Sequence, residues 1–298
     1  MLDELLQRFR RGDRLALSRL VSLVALGDRT EEILAGAGRA AQSARVVAVT
    51  GAGGVGKSTL VGKLIEQARA DGQKVAVLAC DPQSPLTGGA LLGDRFRMPA
   101  RPDDDGVFIR SLAAAGGHGA LADHLGPLIR LLEVFGFDVV LIETVGAGQG
   151  DTAVHSLADV LVLLLQPEMG DDLQWEKAGL LEVADVIAIH KADLPGAERV
   201  EAQVLATLGL SMAPAPRVLR VSARTSQGVA ELWATIRALP LRRGTQEDGR
   251  ELLRLAQELL ASRFASVERR ADVNRLIERW RRGEGNASVE LLRLLGRE

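Results

Sequence analysis

The sequence predicts an α/β fold, a mostly parallel sheet flanked by helices. Three observations predict it. Short apolar runs rich in β-branched residues recur along the chain. Amphipathic stretches of helical length separate most of them, and one run ends in a glycine-rich loop that opens a helix. Apolar runs without alternating polar positions describe strands covered on both faces, the condition of a parallel sheet.

Each element follows in order. Residues 1–42 hold apolar residues at helical spacing in LDELLQRF and LALSRLVSLVAL, and predict an N-terminal helical extension. The period then changes. RVVAVT (45–50) is the first strand, followed by glycines and the helical STLVGKLIEQARA. KVAVLAC (74–80), GVFIR (106–110), FDVVLIET (137–144), ADVLVLLLQ (158–166), ADVIAIH (184–190) and RVLRVSA (217–223) repeat the strand pattern, and GALADHLGPLIRLLEVFG is helical. From about 241 the strands stop, and ELLRLAQELLASRFASVERRADVNRLIERW is helical and rich in Arg. The expected division is a helical extension over 1–42, a nucleotide-binding α/β domain over 43–240 and a C-terminal helical extension over 241–298 that serves dimerisation or contact.

Composition narrows the class. The chain has 298 residues, 47% of them hydrophobic and 26% charged, as in ordinary globular proteins. A net charge of -2 argues against nucleic acid as a partner. The single cysteine, Cys80, precludes an internal disulfide and fits a reducing compartment. The charged start MLDELLQRFRRGDR is no signal peptide, and no apolar run is long enough for a membrane span. The expected location is cytoplasmic, without membrane contact. With no Tyr and 3% aromatic residues, the core is expected to be Leu, Val, Ile and Ala.

GAGGVGKS (51–58) fits G-x-x-x-x-G-K-[ST] between a predicted strand and a predicted helix, the setting of a P-loop NTPase. Gly51, Gly53, Gly54 and Gly56 let the backbone turn its N–H groups around phosphate oxygens. Val55 and Thr59 complete the run of backbone contacts expected there. Lys57 supplies a positive charge at the β- and γ-phosphates, Ser58 a hydroxyl for Mg²⁺, and the helix N-terminus its dipole. The loop alone leaves kinase, ATPase and GTPase open.

Carboxylates extend the site. Asp81 and Glu143 each follow an apolar strand, so both should emerge at the ligand-binding edge of the sheet. There they can hold Mg²⁺ directly or through water. Asp94, in GGALLGDRFRM, offers a third carboxylate on a glycine-rich loop. ETVGAGQGD (143–151) reads as a switch: Gly146 brings an N–H to a γ-phosphate, and Gln149 is the candidate to orient the attacking water.

IAIHKAD (187–193) ends a predicted strand and differs from the guanine-reading loop Asn-Lys-x-Asp by one residue, His190 in place of Asn. In that loop the Asp accepts from guanine N1–H and the 2-amino group. The Asn contacts N7 and braces the P-loop, and the Lys stem lies along the base. Adenine lacks both donors and would leave Asp193 buried and unpaired, a cost of about 1–3 kcal/mol or more. A neutral His190 can donate a ring N–H to N7. Lys191 and Asp193 keep their usual parts, and Ser222 and Ala223 in VSART resemble the loop whose N–H meets guanine O6. Guanine is therefore the expected base.

Four segments resemble, in order, the signatures of the MeaB/ArgK family of GTPases, which includes the methylmalonic aciduria type A protein. They are VAVTGAGGVGKSTLVGKL, VAVLACDPQSPLTGGALLGDRFRM, FDVVLIETVGAGQGD and EMGDDLQWEKAGLLEVADVIAIHKAD. The resemblance covers residues 1–240 well and the C-terminal helices more loosely; DPQSPLTGG…GDRFRM is its most specific part. It implies GTP and GDP as ligands with Mg²⁺, bound by Ser58, Asp81, Asp94 and Glu143. It implies slow hydrolysis that a partner stimulates, the partner being an adenosylcobalamin-dependent acyl-CoA mutase, usually methylmalonyl-CoA mutase. Such proteins gate cobalamin loading and protect the mutase from inactivation. A homodimer is implied as well, with the terminal helices helping association. Residues 166–177 match a third switch, and Lys177 matches a lysine tied to stimulated hydrolysis, beside Lys57 and Gln149.

The chain departs from the family pattern at His190, in DPQSPLTGG where DPSSTRTGG is expected, and in a somewhat short C-terminal region. The rival within the fold is a GTPase that inserts nickel. Such proteins carry Cys/His clusters, whereas His118, His124, His155 and His190 are scattered here. From another class comes a nucleotide-sensing scaffold with little turnover. An older family label, a kinase for an arginine-transport protein, finds no separate acceptor site in the sequence.

Overall fold

A computed structural model describes residues 2–82, 104–114, 118–144, 150–167, 178–209, 215–242 and 271–282. The N-terminal region forms three helices, α1 (Leu2–Arg10), α2 (Arg14–Ala25) and α3 (Thr30–Ala37). Asp13 caps α2, accepting from the N–H groups of Leu15 and Ala16 at 2.8 and 3.2 Å. This satisfies two of the donors that a helix start leaves open.

Seven strands follow: β1 (Arg45–Gly51), β2 (Val75–Pro82), β3 (Val107–Ala114), β4 (Val139–Glu143), β5 (Val160–Leu165), β6 (Val186–Ile189) and β7 (Arg217–Arg220). Between them run α4 (Lys57–Ala70), α5 (His118–Phe135), α6 (Gly150–Leu157), α7 (Ala178–Val183) and α8 (Ala197–Leu208); α9 (Val229–Ala238) follows β7. The order across the sheet is β3-β2-β4-β1-β5-β6-β7, and all described pairings are parallel. The predicted α/β architecture is thus the observed one.

The two-residue period of the strands sorts the core. Val46 and Ala48 of β1 join a cluster with Leu17, Leu20 and Val24 of α2 and Leu128 and Leu132 of α5. Val47 and Val49 face the other way, into Leu60, Val61 and Leu64 of α4 and Leu232 and Ile236 of α9. Leu163, Leu165, Ile187 and Ile189 pack with Leu180, Val200 and Val204 of α7 and α8. Every one of these side chains is nearly or fully inaccessible. Burying a Val or Leu contributes about 1.5–3 kcal/mol, so this double cover fixes the sheet and the loops at its edge.

The chain divides into two compact units, residues 1–242 and 243–298. In the second, α10 (Ala271–Arg281) is described, with Val273 buried and Trp280 exposed. No helix among the described residues is long and apolar enough to cross a membrane.

Candidate functional site

β1 and β4 are neighbours, with Val49 opposite Glu143. Strand β6 pairs with β7, so the segments following both emerge together at the same edge. The carboxyl ends of the strands therefore gather the glycine loop, Glu143, the 190–193 loop and the 222–224 loop. They enclose a cavity of about 690 Å³. Gly53, Gly54, Gly56, Lys57, Ser58 and Thr59 line one part of it, Glu143 and Thr144 another. His190, Lys191, Asp193, Ser222, Ala223 and Arg224 line the rest.

Conformation explains two of the glycines. Gly51 has φ +148°, and a Cβ there would meet the Leu164 carbonyl oxygen at 2.6 Å. Gly56 has φ +98°, and its Cβ would lie 2.5 Å from His190 Cε1. Both positions exclude a side chain on two counts. Gly53 differs: it is absent from the left-handed region, and a Cβ there would meet nothing within 4 Å.

Lys57 is buried, and its ammonium donates to the carbonyls of Gly51 and Ala52 at 3.0 and 3.1 Å. Its charge is thereby held at the mouth of the glycine loop. One residue on, the Ser58 hydroxyl donates to Glu143 Oε1 at 2.6 Å, and both side chains are buried. A hydroxyl and a carboxylate at this spacing form an all-oxygen donor pair, which suits a hard divalent cation such as Mg²⁺. Asp81 is the second-last residue of β2, at the same sheet edge and paired with Ala113. Asp94, Gly146, Gln149 and Lys177 lie outside the described residues, and so do most of residues 166–177.

On the other side, the Ser222 hydroxyl donates to Asp193 Oδ1 at 2.6 Å, and the guanidinium of Arg224 stands 3.7 Å from Oδ2. The Ser222 hydrogen bond foremost, with Arg224 adding to it, holds the Asp193 carboxyl below the ordinary carboxylate range. Asp193 is therefore a fixed, charged acceptor. Lys191 takes a left-handed φ of 56°, rare for a residue with a side chain.

His190 is buried and spans the cavity floor. Its Nδ1 lies 2.7 Å from the Val55 carbonyl oxygen, and the Ala223 N–H donates to Nε2 at 3.3 Å. A carbonyl only accepts and an amide N–H only donates, so the ring is neutral with its proton on Nδ1. Burial pushes its pKa below the ordinary histidine value, and the Lys191 charge acts in the same sense. The ring N–H is directed at the Val55 carbonyl. With that bond it braces the glycine loop. The Val55 side chain is inside the core, and its carbonyl is the partner of His190.

Sequence reading missed Cys80, Thr144, Leu194 and Arg224, all on the cavity wall. Each adjoins a residue already singled out: Asp81, Glu143, Asp193 and Ala223. Adjacency was the available signal. Of the scattered histidines, His124 lies on α5, its Cε1 3.1 Å from where a Cβ on Gly27 would sit. Among the described residues no three His, Cys, Asp or Glu side chains group as metal ligands.

Comparison with known proteins follows the same lines. The family model described as "Methylmalonyl Co-A mutase-associated GTPase MeaB" matches residues 17–271. A putative GTPase of Pyrococcus abyssi (strain GE5 / Orsay) is 43% identical over 244 residues, covering 80% of this chain and 75% of that protein. The fused isobutyryl-CoA mutase of Nocardia farcinica (strain IFM 10152) is 37% identical over 282 residues, 90% of this chain and 26% of that one. The crystal structure of an LAO/AO transport system kinase superposes with a TM-score of 0.68 at 26% identity, covering 98% of this chain and 95% of that one. The chain belongs to the MeaB family of methylmalonyl-CoA mutase-associated GTPases.

Proposed function

We propose that this GTPase serves an adenosylcobalamin-dependent acyl-CoA mutase of the methylmalonyl-CoA mutase type, gating its cofactor loading and protecting it from inactivation. The observation that carries the nucleotide part is the single cavity in which Lys57, the Ser58–Glu143 pair and Asp193 all meet. The partner part is supported by the fused isobutyryl-CoA mutase, where the stretch similar to this chain occupies about a quarter of a protein named as a mutase.

Hydrolysis is an in-line attack. A water oxygen bonds to the γ-phosphorus while the bond from that phosphorus to the β–γ bridging oxygen breaks, releasing GDP and phosphate. The glycine-loop N–H groups hold the phosphates, and the Lys57 ammonium exchanges the Gly51 and Ala52 carbonyls for phosphate oxygens. Ser58 and Glu143, with Asp81 and Asp94, would hold Mg²⁺, and the ion would supply positive charge to the phosphate oxygens. Gly146 senses the γ-phosphate, and Gln149 orients the water. Contact with the mutase completes the site and brings Lys177 into play. Catalysis is positioning and charge stabilisation. The cytoplasm is the proposed location, and a homodimer the proposed assembly.

The test is GTP turnover by the native chain and by Lys57→Ala, each with and without methylmalonyl-CoA mutase. The expected result is slow turnover alone, faster turnover with the mutase, and neither in the variant. Normal hydrolysis by Lys57→Ala with the mutase would overturn the assignment.

A further inference from the structure

The hydrogen bonds around the base end of the cavity run in a fixed order. Asp193 accepts from Ser222, Ala223 donates its N–H, and His190 Nε2 accepts. Guanine offers along its edges the N1–H and 2-amino donors, then the acceptor O6, then the acceptor N7. The Asp193 carboxylate answers the two donors. The His190 ring has nothing left for N7, because its N–H is on Val55 and its Nε2 lone pair is on Ala223.

We propose that His190 is a positioning and specificity-determining residue that ties the base loop to the phosphate loop and leaves the site blind to purine N7. This deepens the guanine-nucleotide reading of the same cavity and rests on it.

The alternative arrangements of the ring fail on the same contacts. Moving the proton to Nε2 would turn the Nδ1 lone pair onto the Val55 carbonyl at 2.7 Å and set an N–H against the Ala223 N–H. A second proton would keep the Val55 bond but place two donors face to face at Ala223. Lys191 opposes that added charge, Asp193 favours it, and burial opposes it. Flipping the ring would set Cδ2–H against the Val55 carbonyl and Cε1–H against the Ala223 N–H, losing both hydrogen bonds. The ring is buried and lies under Gly56, where a Cβ would sit 2.5 Å from Cε1. A side-chain amide at this position behaves differently. Its NH₂ carries two N–H groups, so an Asn can donate one to the Val55 carbonyl and still turn the other to N7. His190 keeps the brace and loses the reading, so base choice rests on Asp193.

The test compares GDP with its 7-deaza analogue, in which C–H replaces N7. Calorimetry on the native chain is expected to give affinities within about twofold of each other. In His190→Asn the analogue is expected to bind about three- to tenfold more weakly than GDP, the value of one recovered hydrogen bond. A structural change alone would move both ligands together and leave their ratio at one. A native chain that already binds the analogue threefold or more weakly than GDP would overturn the proposal. Should the variant fail to fold, the ring ¹⁵N shifts of the native GDP complex decide. An unprotonated Nε2 is expected, and a protonated one overturns the proposal. ADP binding as tight as GDP by the native chain would instead overturn the guanine reading itself, and the proposal with it.

Discussion

The His190 imidazole and the Val55 carbonyl, 135 residues apart in sequence, meet at 2.7 Å inside the protein. This bond joins the loop after β6 to the loop before α4. The same ring receives the Ala223 N–H, so three loops share one side chain. His190→Ala removes both bonds and leaves the Val55 carbonyl buried without its donor. We expect a loss of about 2–4 kcal/mol of stability by urea unfolding, from the unmet carbonyl and the space left by the ring. GDP affinity should fall at least tenfold, and His190→Asn should recover part of both.

The neutral state of His190 makes stability depend on acid. Its folded pKa is depressed, with burial the main cause and the Lys191 charge adding to it; the Val55 bond and Asp193 act against them. The unfolded chain takes up a proton in the ordinary histidine range, where the folded chain does not. The contribution is complete above that range and is lost as pH falls through it toward the lower folded value. Urea unfolding at about pH 7.5 and about pH 5.5 should show a larger loss for the native chain than for His190→Asn. Equal losses would assign the acid sensitivity elsewhere.

The glycine loop gives a graded series. Gly53→Ala meets open space without a left-handed backbone and should be near neutral for stability. Gly54→Ala has φ +74° and open space, so it should cost only the backbone term, about 1–2 kcal/mol. Gly56→Ala adds the collision with His190 and should cost more than Gly54→Ala, with weaker GDP binding. Equal Tm values for the Gly54 and Gly56 variants would contradict the packing of the ring against the loop.

The Ser58–Glu143 pair carries the metal assignment. Ser58→Ala and Glu143→Gln should each lower mutase-stimulated kcat by about a hundredfold or more, the equivalent of several kcal/mol of transition-state stabilisation. Chelating Mg²⁺ should reduce the native chain to the same level and change the variants little. A variant that keeps native turnover and native Mg²⁺ dependence would remove that residue from the metal site.

The fold was legible because each strand carries its own signal. RVVAVT, KVAVLAC and ADVLVLLLQ are apolar on both faces, and a strand buried on both faces must be so. Strand order was not legible. β2 lies between β3 and β4, and β4 between β2 and β1, through pairings that no local pattern encodes. The site divides the same way. Lys57, Ser58, Glu143, Lys191 and Asp193 stand in motifs or at strand ends, and the structure gathers them. The role of His190 depends on which ring nitrogen faces Val55. That is settled by a contact across 135 residues and by the glycine beneath the ring. Lys57 folding back onto the Gly51 and Ala52 carbonyls is likewise a matter of rotamer, not of spacing.

The most direct measurement of the central claim is calorimetric titration of the chain with GDP and with ADP in Mg²⁺, repeated on Asp193→Asn. The account predicts strong preference for GDP in the native chain. It predicts that the preference collapses in the variant, whose amide presents a donor where guanine needs an acceptor. Equal affinity of the native chain for both nucleotides, or a preference unchanged by Asp193→Asn, would contradict it.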